Sequence, residues 1–406
     1  MTDQQQKLVP KLRFRGFTED WQQEKLKNIA NFSKGKGYRL KDVTETGTPI
    51  IFYGSLYTNF QEIIYNSGTF VKSVPNSVIS EGNEVIVPSS GETAIEIARA
   101  SAVKKPGIIL GGDLNILSVE KQSTGFVAYY LNSIGPSLSK LAQGNSVVHL
   151  YNHHLRDVQI KLPTLDEQIK IVKLLEKLNE MITLNQQKLE RILQLETAMI
   201  QKIFPDQNEN SSFLYFSKNN SLWKKCKIGE ILTERDDRIT ESETYPLMSF
   251  VQNEGVVPKS DRYDRSFLVK NSNKKYKRTE LNDFIYSSNN LHTGSIGFNN
   301  YGKATISPVY SIFYAQNIVD SDFIGVLSKK PQFIHQMIRY RQGVIYGQWR
   351  IHEKDFLKIE TLFPDNKERK KIVDYFKKIN ELRVLYSHKV NYLSNLKQYF
   401  LSQLFI

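Results

Sequence analysis

The stretch PTLDEQIKIVKLLEKLNEMI, from Pro163 to Ile182, returns as PDNKERKKIVDYFKKINELR, from Pro364 to Arg383. Pro364 follows Pro163 by 201 residues, and the same register carries Phe204 onto Phe405 without a gap. A period this long is not a solenoid repeat of roughly 20–50 residues. It describes half a molecule written twice. The first copy places Ile171, Leu175, Leu178, Ile182, Leu189, Ile192, Met199 and Ile203 at alternating steps of four and three, with Asn185 and Glu196 as the polar exceptions. The second copy answers with Ile372, Phe376, Ile379, Tyr386, Val390, Leu393, Phe400 and Leu404, interrupted by Arg383 and Lys397. Steps of four and three held over more than four heptads define a coiled-coil seam. Each run follows a proline and contains no internal Pro or Gly. Two long helices are expected, over 163–205 and 364–406, each about 57 Å long at 1.5 Å per residue.

With two such helices in one chain, the simplest pairing is with each other. An antiparallel pair makes the molecule pseudo-twofold, with a globular domain over 1–162 and another over 206–363. The globular segments also echo each other. Trp21-Gln-Gln-Glu-Lys-Leu matches Trp223-Lys-Lys-Cys-Lys-Ile, Gly82-Asn-Glu-Val-Ile-Val87 matches Leu281-Asn-Asp-Phe-Ile-Tyr286, and Gln143-Gly144 matches Gln342-Gly343. Short β-rich runs sit among Gly/Asn/Ser turns, and helices are expected near Gly125–Leu141 and Ser321–Arg341. The fold class is α+β, used twice, with the polar stretch Asp206–Ser212 as linker.

Net charge is +13, and residues 1–165 and 205–364 each contribute +4. An equal basic excess in both domains favours a polyanionic partner, although Lys- and Asn-rich codon usage offers a bland explanation. The single cysteine, Cys226, excludes an internal disulfide and a CxxC metal site. No run of 18 apolar residues is present to cross a bilayer, and the polar N-terminus lacks a signal-peptide core. A cytoplasmic location is the expectation.

Catalytic signatures are missing. There is no GxxxxGK[ST] loop, no HExxH, and no strand–GxGxxG–helix unit. His153-His154 are adjacent, so on a strand they would point to opposite faces and chelate poorly. Glu81, Glu84, Glu92 and Glu96 read as solvated positions. The loops instead carry hydrogen-bonding side chains suited to base edges and phosphates. Candidate DNA-binding residues are Tyr53, Tyr57, Asn59, Ser89, Ser90, Gln143 and Asn145 in the first domain. In the second they are Asn289, Asn290, His292, Gln342, Tyr346, Gln348 and Arg350. Any one such loop, taken alone, is better explained as a plain turn. Trp349 is expected to be a packing anchor, because an exposed Trp is uncommon and a duplex offers no free base face.

These residues resemble the specificity subunits of type I restriction–modification systems. Pro10-Lys-Leu-Arg-Phe-Arg-Gly-Phe17 with Trp21 is similar to the family's opening motif. Leu162-Pro-Thr-Leu-Asp-Glu-Gln168 is similar to the signature that leads into its first long helix, and the second copy departs from it with Arg369 in place of Gln. The resemblance implies two target-recognition domains that read a bipartite double-stranded DNA site, with the helices setting the gap. It also implies two methyltransferase subunits docked on the helical region and two motor–nuclease restriction subunits. S-adenosylmethionine, ATP and Mg²⁺ would belong to those partners, leaving this chain without cofactor, metal or catalysis. Glu167, Gln168, Lys370, Lys371, Lys377 and Lys378 are the candidate partner-binding residues. Two other readings stay open at this point: a stand-alone regulator of a bipartite operator, and a scaffold that does not bind DNA.

If the helices act as a ruler, four residues inserted after Ile192 lengthen one of them by ~6 Å. With about 3.4 Å per base pair, the preferred gap should grow by one or two base pairs while both half-sites stay as they were. Methylation mapping checks this, and a changed half-site at an unchanged gap contradicts it.

Overall fold

The computed structural model describes residues 9–144, 146–205, 212–216, 223–251, 254–258, 274–289, 291, 295–345 and 348–405. The chain divides into two compact units, one of Met1–Asn185 with His388–Ile406 and the other of Gln186–Ser387. The dividing points fall inside the two long helices, so each unit contains parts of both.

In the first unit, a five-stranded sheet runs in the order Ala30–Lys34, Leu114–Val119, Glu84–Pro88, Ser101–Val103, Ile63–Ile64. Its pairings are antiparallel except the last. In the second unit, a four-stranded antiparallel sheet runs Leu232–Glu234, Ser311–Ala315, Phe284–Tyr286, Ile296–Phe298. The Gly82–Val87 and Leu281–Tyr286 echoes therefore mark the third strand of each sheet. These strands are buried along their length, which explains their unbroken apolar character. A two-stranded ribbon closes each domain just before its long helix. Gln22 pairs with Leu162 in one and Lys224 with Phe363 in the other.

The helix expected near Gly125–Leu141 is two helices, Thr124–Ser133 and Gly135–Ser139. Its counterpart is Ile318–Leu327 followed by Pro331–Ile338. The breaks have a local cause: Pro136 and Pro331 lack an amide hydrogen, so each sits in the first turn of a new helix rather than inside an old one. Ser123 and Asn317 cap the first helix of each pair through their side-chain oxygens.

The long helices span Leu165–Ile203 and Asn366–Leu404, 39 residues each. All twenty seam positions are buried or half-buried. Within the first unit, Ile171, Val172 and Leu175 from the start of one helix share a core with Leu404 and Phe405 at the end of the other. Within the second unit, Ile200, Ile203 and Phe204 share a core with Ile372, Val373 and Phe376. Start meets end in both, so the helices run antiparallel within each unit. The end of each helix also enters a domain core. Phe405 packs 5.4 Å from Phe126, and Trp21 lies 5.6 Å from Phe126. Phe204 packs 5.4 Å from Phe323 and 5.7 Å from Trp223.

The polar seam positions have partners. Asn185 donates to the Met181 carbonyl of its own helix at 2.6 Å, and Arg383 donates to Asn380 at 2.7 Å. Glu196 forms an ion pair with Lys329. Lys397 forms one with Glu62 at 2.5 Å.

The helix starts are fixed by buried polar groups. Arg13 Nε and Nη2 donate to the two Glu167 oxygens at 2.8 and 2.9 Å. The hydrogen bond to Glu167 keeps the Arg13 guanidinium above its usual range against the opposing effect of burial. Gln168 accepts from the Ser123 amide at 3.0 Å and donates to the Pro163 carbonyl at 2.9 Å, which ties helix start to domain. In the second copy Glu368 accepts from the Phe216 amide at 2.6 Å. Arg369, where the first copy has Gln, lies 2.9 Å from Asp320 in the first turn of Ile318–Leu327. The substitution in the motif thus comes with a carboxylate to meet it.

Glu84 is not solvated, as its neighbours had suggested. Its buried carboxylate accepts the Glu81 and Gly82 amides at 2.6 and 3.1 Å, closing the turn that leads into its strand. Asp283 does the same for the Glu280 amide at 2.7 Å and also receives Arg235. Burial raises Asp283 above the usual carboxylate range even with Arg235 beside it.

Removing one partner of a buried charge pair leaves the other desolvated and unpaired. Glu167→Ala should therefore lower stability by about 3 kcal/mol in denaturant unfolding, by stranding Arg13. A loss under about 1 kcal/mol, within the range of ordinary surface substitutions and weak hydrogen bonds, would show that the pair does not fix the helix start.

Candidate nucleic-acid interface

In each domain a hairpin near the long helix brings together several of the candidate residues. In the first, Gln143 and His149 exchange backbone hydrogen bonds at 2.9 and 2.7 Å, and His149 pairs in turn with Ser90. Gly144 makes the intervening turn possible. Its φ is +119°, and a Cβ there would stand 2.1 Å from the Val147 carbonyl oxygen. The Tyr57 hydroxyl donates to the Ser90 carbonyl at 2.5 Å, with Tyr53 edge-on to Tyr57. Burial, the largest influence, pushes the Tyr57 phenol well above its usual range, so it stays a neutral donor. Ser89 is buried and accepts the Leu150 amide through its carbonyl at 3.1 Å. It holds the edge rather than facing outward. Asn59 is exposed at the end of the short helix Ser55–Thr58.

Beyond the hairpin, His149, Tyr151 and His153 form a stacked row, with ring centroids 5.8 and 5.6 Å apart and planes within 12° and 11°. The Lys34 ammonium lies 5.5 Å from the Tyr151 ring. Asn152 anchors the row by donating to the Ser33 carbonyl at 2.8 Å. His153 and His154 are thus on a short helix, Asn152–Arg156, not on a strand, and their rings lie 4.0 Å apart. Burial, then the neighbouring His153, hold His154 below the usual histidine range. Among the described residues no group of three His, Cys, Asp or Glu side chains is placed to hold a metal ion.

The second domain repeats the arrangement. Gln342–Ile345 pairs with Gln348–Arg350, Gln342 opposite Arg350. Between its paired ends this span, Gln342–Arg350, is two residues longer than Gln143–His149. The Ile351 amide donates to the Ser288 hydroxyl at 2.9 Å, as the Leu150 amide does to the Ser89 carbonyl. Asn289 is exposed beside it. The Gln342 amide donates to Asp355 at 2.9 Å, which leaves it less free than a reader requires. The Arg350 side chain is 64% exposed and touches Glu353 only at 3.4 Å. Burial, the largest influence on Glu353, would raise its carboxyl, but hydrogen bonds from its own amide and Ser311, with the nearby charges of Lys277 and Arg350, together hold the group below its usual range. Trp349 is 45% exposed, which overturns its expected role as a packing anchor: it sits on the hairpin, not in the core. Asn145, Asn290, His292 and Tyr346 lie outside the described residues, and of Gln348 only the backbone lies within them.

The partner-binding candidates separate. Glu167 and Gln168 are fully buried and engaged within their own unit, so their side chains are not on a docking surface. Lys371 donates to the Phe216 carbonyl at 2.9 Å, and Lys377 pairs with Asp322 at 2.7 Å. Lys370 and Lys378 are exposed. The sequence reading missed His149, Tyr151, His352 and Lys354. The signal was present in the 201-residue offset, which places His149 on Arg350, Tyr151 on His352 and His153 on Lys354.

Residues 18–194 match the family model of the type I restriction modification DNA specificity domain. The chain is similar in fold to a type I restriction–modification system S subunit from M. genitalium, with a TM-score of 0.66 and 15% identity, over 98% of this chain and 99% of that one. A chain from a structure concerned with complex assembly and conformational transition of the type I R-M system also aligns, with a TM-score of 0.50 and 14% identity, over 95% and 97% of the two chains. The first part of the chain thus matches the type I specificity-domain family, and the chain as a whole shares the fold of the solved S subunits. Among the described residues no helix is long and apolar enough to cross a membrane.

Proposed function

We propose that each domain reads one half of a split double-stranded DNA site through the edge just described, and that the long helices carry the methyltransferase subunits. The observation behind the first part is a frame that repeats while its exposed chemistry changes. Leu150/Ile351 and Leu155/Phe356 are buried in both copies. Between and beside them, His149, Tyr151 and His153 stand where Arg350, His352 and Lys354 stand in the other domain. A binding edge held in one geometry but refilled with different donors and acceptors suits two half-sites of different sequence. Arg350 is matched to guanine O6 and N7, while Lys34 and Lys354 are matched to phosphates.

The second part rests on apolar side chains left exposed outside the seam. These are Leu184, Tyr392 and Tyr399 in the first unit, and Leu193, Leu195, Leu382 and Leu385 in the second. Exposed apolar side chains in such number suit a protein partner. The chemistry, with S-adenosylmethionine, ATP and Mg²⁺, would lie in the methyltransferase and motor–nuclease partners.

Two measurements test these proposals. In the assembled methyltransferase, Arg350→Ala should relax one position of the second half-site, at a cost of about 1–3 kcal/mol in discrimination, and leave the first half-site unchanged. Uniform weakening with a salt slope lower by about one unit would make Arg350 a phosphate contact. An unchanged methylation profile at unchanged affinity would remove it from the interface.

For docking, Leu385→Glu with Tyr392→Glu should abolish methyltransferase co-purification while changing stability by less than about 1 kcal/mol, as surface substitutions do. Normal stoichiometry on a sizing column would refute the helical docking face.

A further inference from the structure

Positions 196 and 397 are equivalent in the repeat, 201 residues apart, and both interrupt an apolar seam. Their charges are opposite, and so are those of the groups they meet. Glu196, near the end of the first helix, pairs with Lys329 of the second domain. Lys397, near the end of the second helix, pairs with Glu62 of the first domain at 2.5 Å. Both helix residues are largely shielded, as is Glu62, with side-chain exposures of 11%, 15% and 15% for Glu196, Lys397 and Glu62. Lys329 is 43% exposed, so solvent screens the Glu196 pair more than the Lys397 pair, where both partners are shielded.

The apolar part of the same contact does not distinguish the copies. Phe204 and Phe405, also 201 residues apart, enter their domain cores in the same way, 5.4 Å from Phe323 and Phe126 respectively. Trp223 and Trp21 stand against those same core phenylalanines, 6.0 Å from Phe323 and 5.6 Å from Phe126. On hydrophobic grounds alone, either helix end would suit either domain. The charges remove that freedom. The first domain set on the first helix's own end would bring Glu62 against Glu196. The second domain set on the second helix's own end would bring Lys329 against Lys397.

We propose that this inverted pair of ion pairs makes the two halves mutually selective: each domain accepts the helix end of the other repeat and rejects that of its own. The surface concerned is the domain face around Glu62 or Lys329, and its partner is the heterotypic half. The device keeps two different domains together in one particle rather than allowing like to pair with like between chains. It is specificity gained by a repulsive element as well as an attractive one, and it does not depend on what the domains bind.

The mismatches can be built in the full-length chain. Lys397→Glu gives the second helix the residue of the first, opposite Glu62. Glu196→Lys does the reverse, opposite Lys329. The neutral controls are Lys397→Gln and Glu196→Gln, and the rescues are Glu62→Lys with Lys397→Glu, and Lys329→Glu with Glu196→Lys. In denaturant unfolding, each reversal should lower the folding equilibrium constant at least about tenfold below its neutral control. Each rescue should return it to within about threefold of the parent chain. If a reversal prevents folding and its rescue restores it, the proposal stands. Reversals no worse than the neutral variants, or rescues that recover nothing, overturn it. Methylation of the parent site by the rescued chains reports separately on the DNA-reading assignment.

Discussion

Each unit is held by an aromatic clasp between a helix end and a domain. Phe405 sits with Trp21, Phe126 and Tyr130 in one, and Phe204 with Trp223 and Phe323 in the other. Burying a ring of this size contributes about 2–3 kcal/mol, and edge-on or tilted aromatic pairs add roughly 0.5–1.5 kcal/mol. The clasp also lies next to the candidate interface. The ribbon Gln22–Lys25/Gln159–Leu162 runs between the clasp tryptophan and the helix start. The hairpin and the stacked row lead directly into that ribbon. A shift of the helix end would therefore be felt at His149 through a few packed residues, as interiors of native density transmit strain.

What the sequence made legible was periodic or duplicated. The 4–3 spacing fixed the helices because the signal is local and recurs many times, and all twenty seam positions are shielded as that spacing requires. The repeat also located the corresponding third strands and the Gln-Gly hairpins, because matched anchors survive where loops diverge. The features that escaped depend on contacts distant in sequence. Glu167 reads as a surface acid until Arg13, 154 residues away, is seen to hold it. Glu84 reads as exposed because nothing local reveals that its carboxylate closes a turn. His153 and Trp349 were misplaced for another reason: alternation and residue size are weak guides at the junction of a hairpin and a one-turn helix. On the candidate interface, composition pointed to loops, whereas the equivalence of His149 and Arg350 pointed to a defined row. The second clue was in the sequence but needed the hairpin pairing to give it a geometry.

The clasp also bears on the order in which the chain is made. The second unit, Gln186–Ser387, is contiguous, and all its residues are available once Ser387 has left the ribosome. The first unit begins at the N-terminus but has Leu404 and Phe405 in its core. The domain synthesised first is therefore the last that can finish folding, and it waits with Trp21 and Phe126 lacking their partner. A nonsense mutation after Ser387 would leave the nearer domain's core intact and open the core of the domain synthesised first.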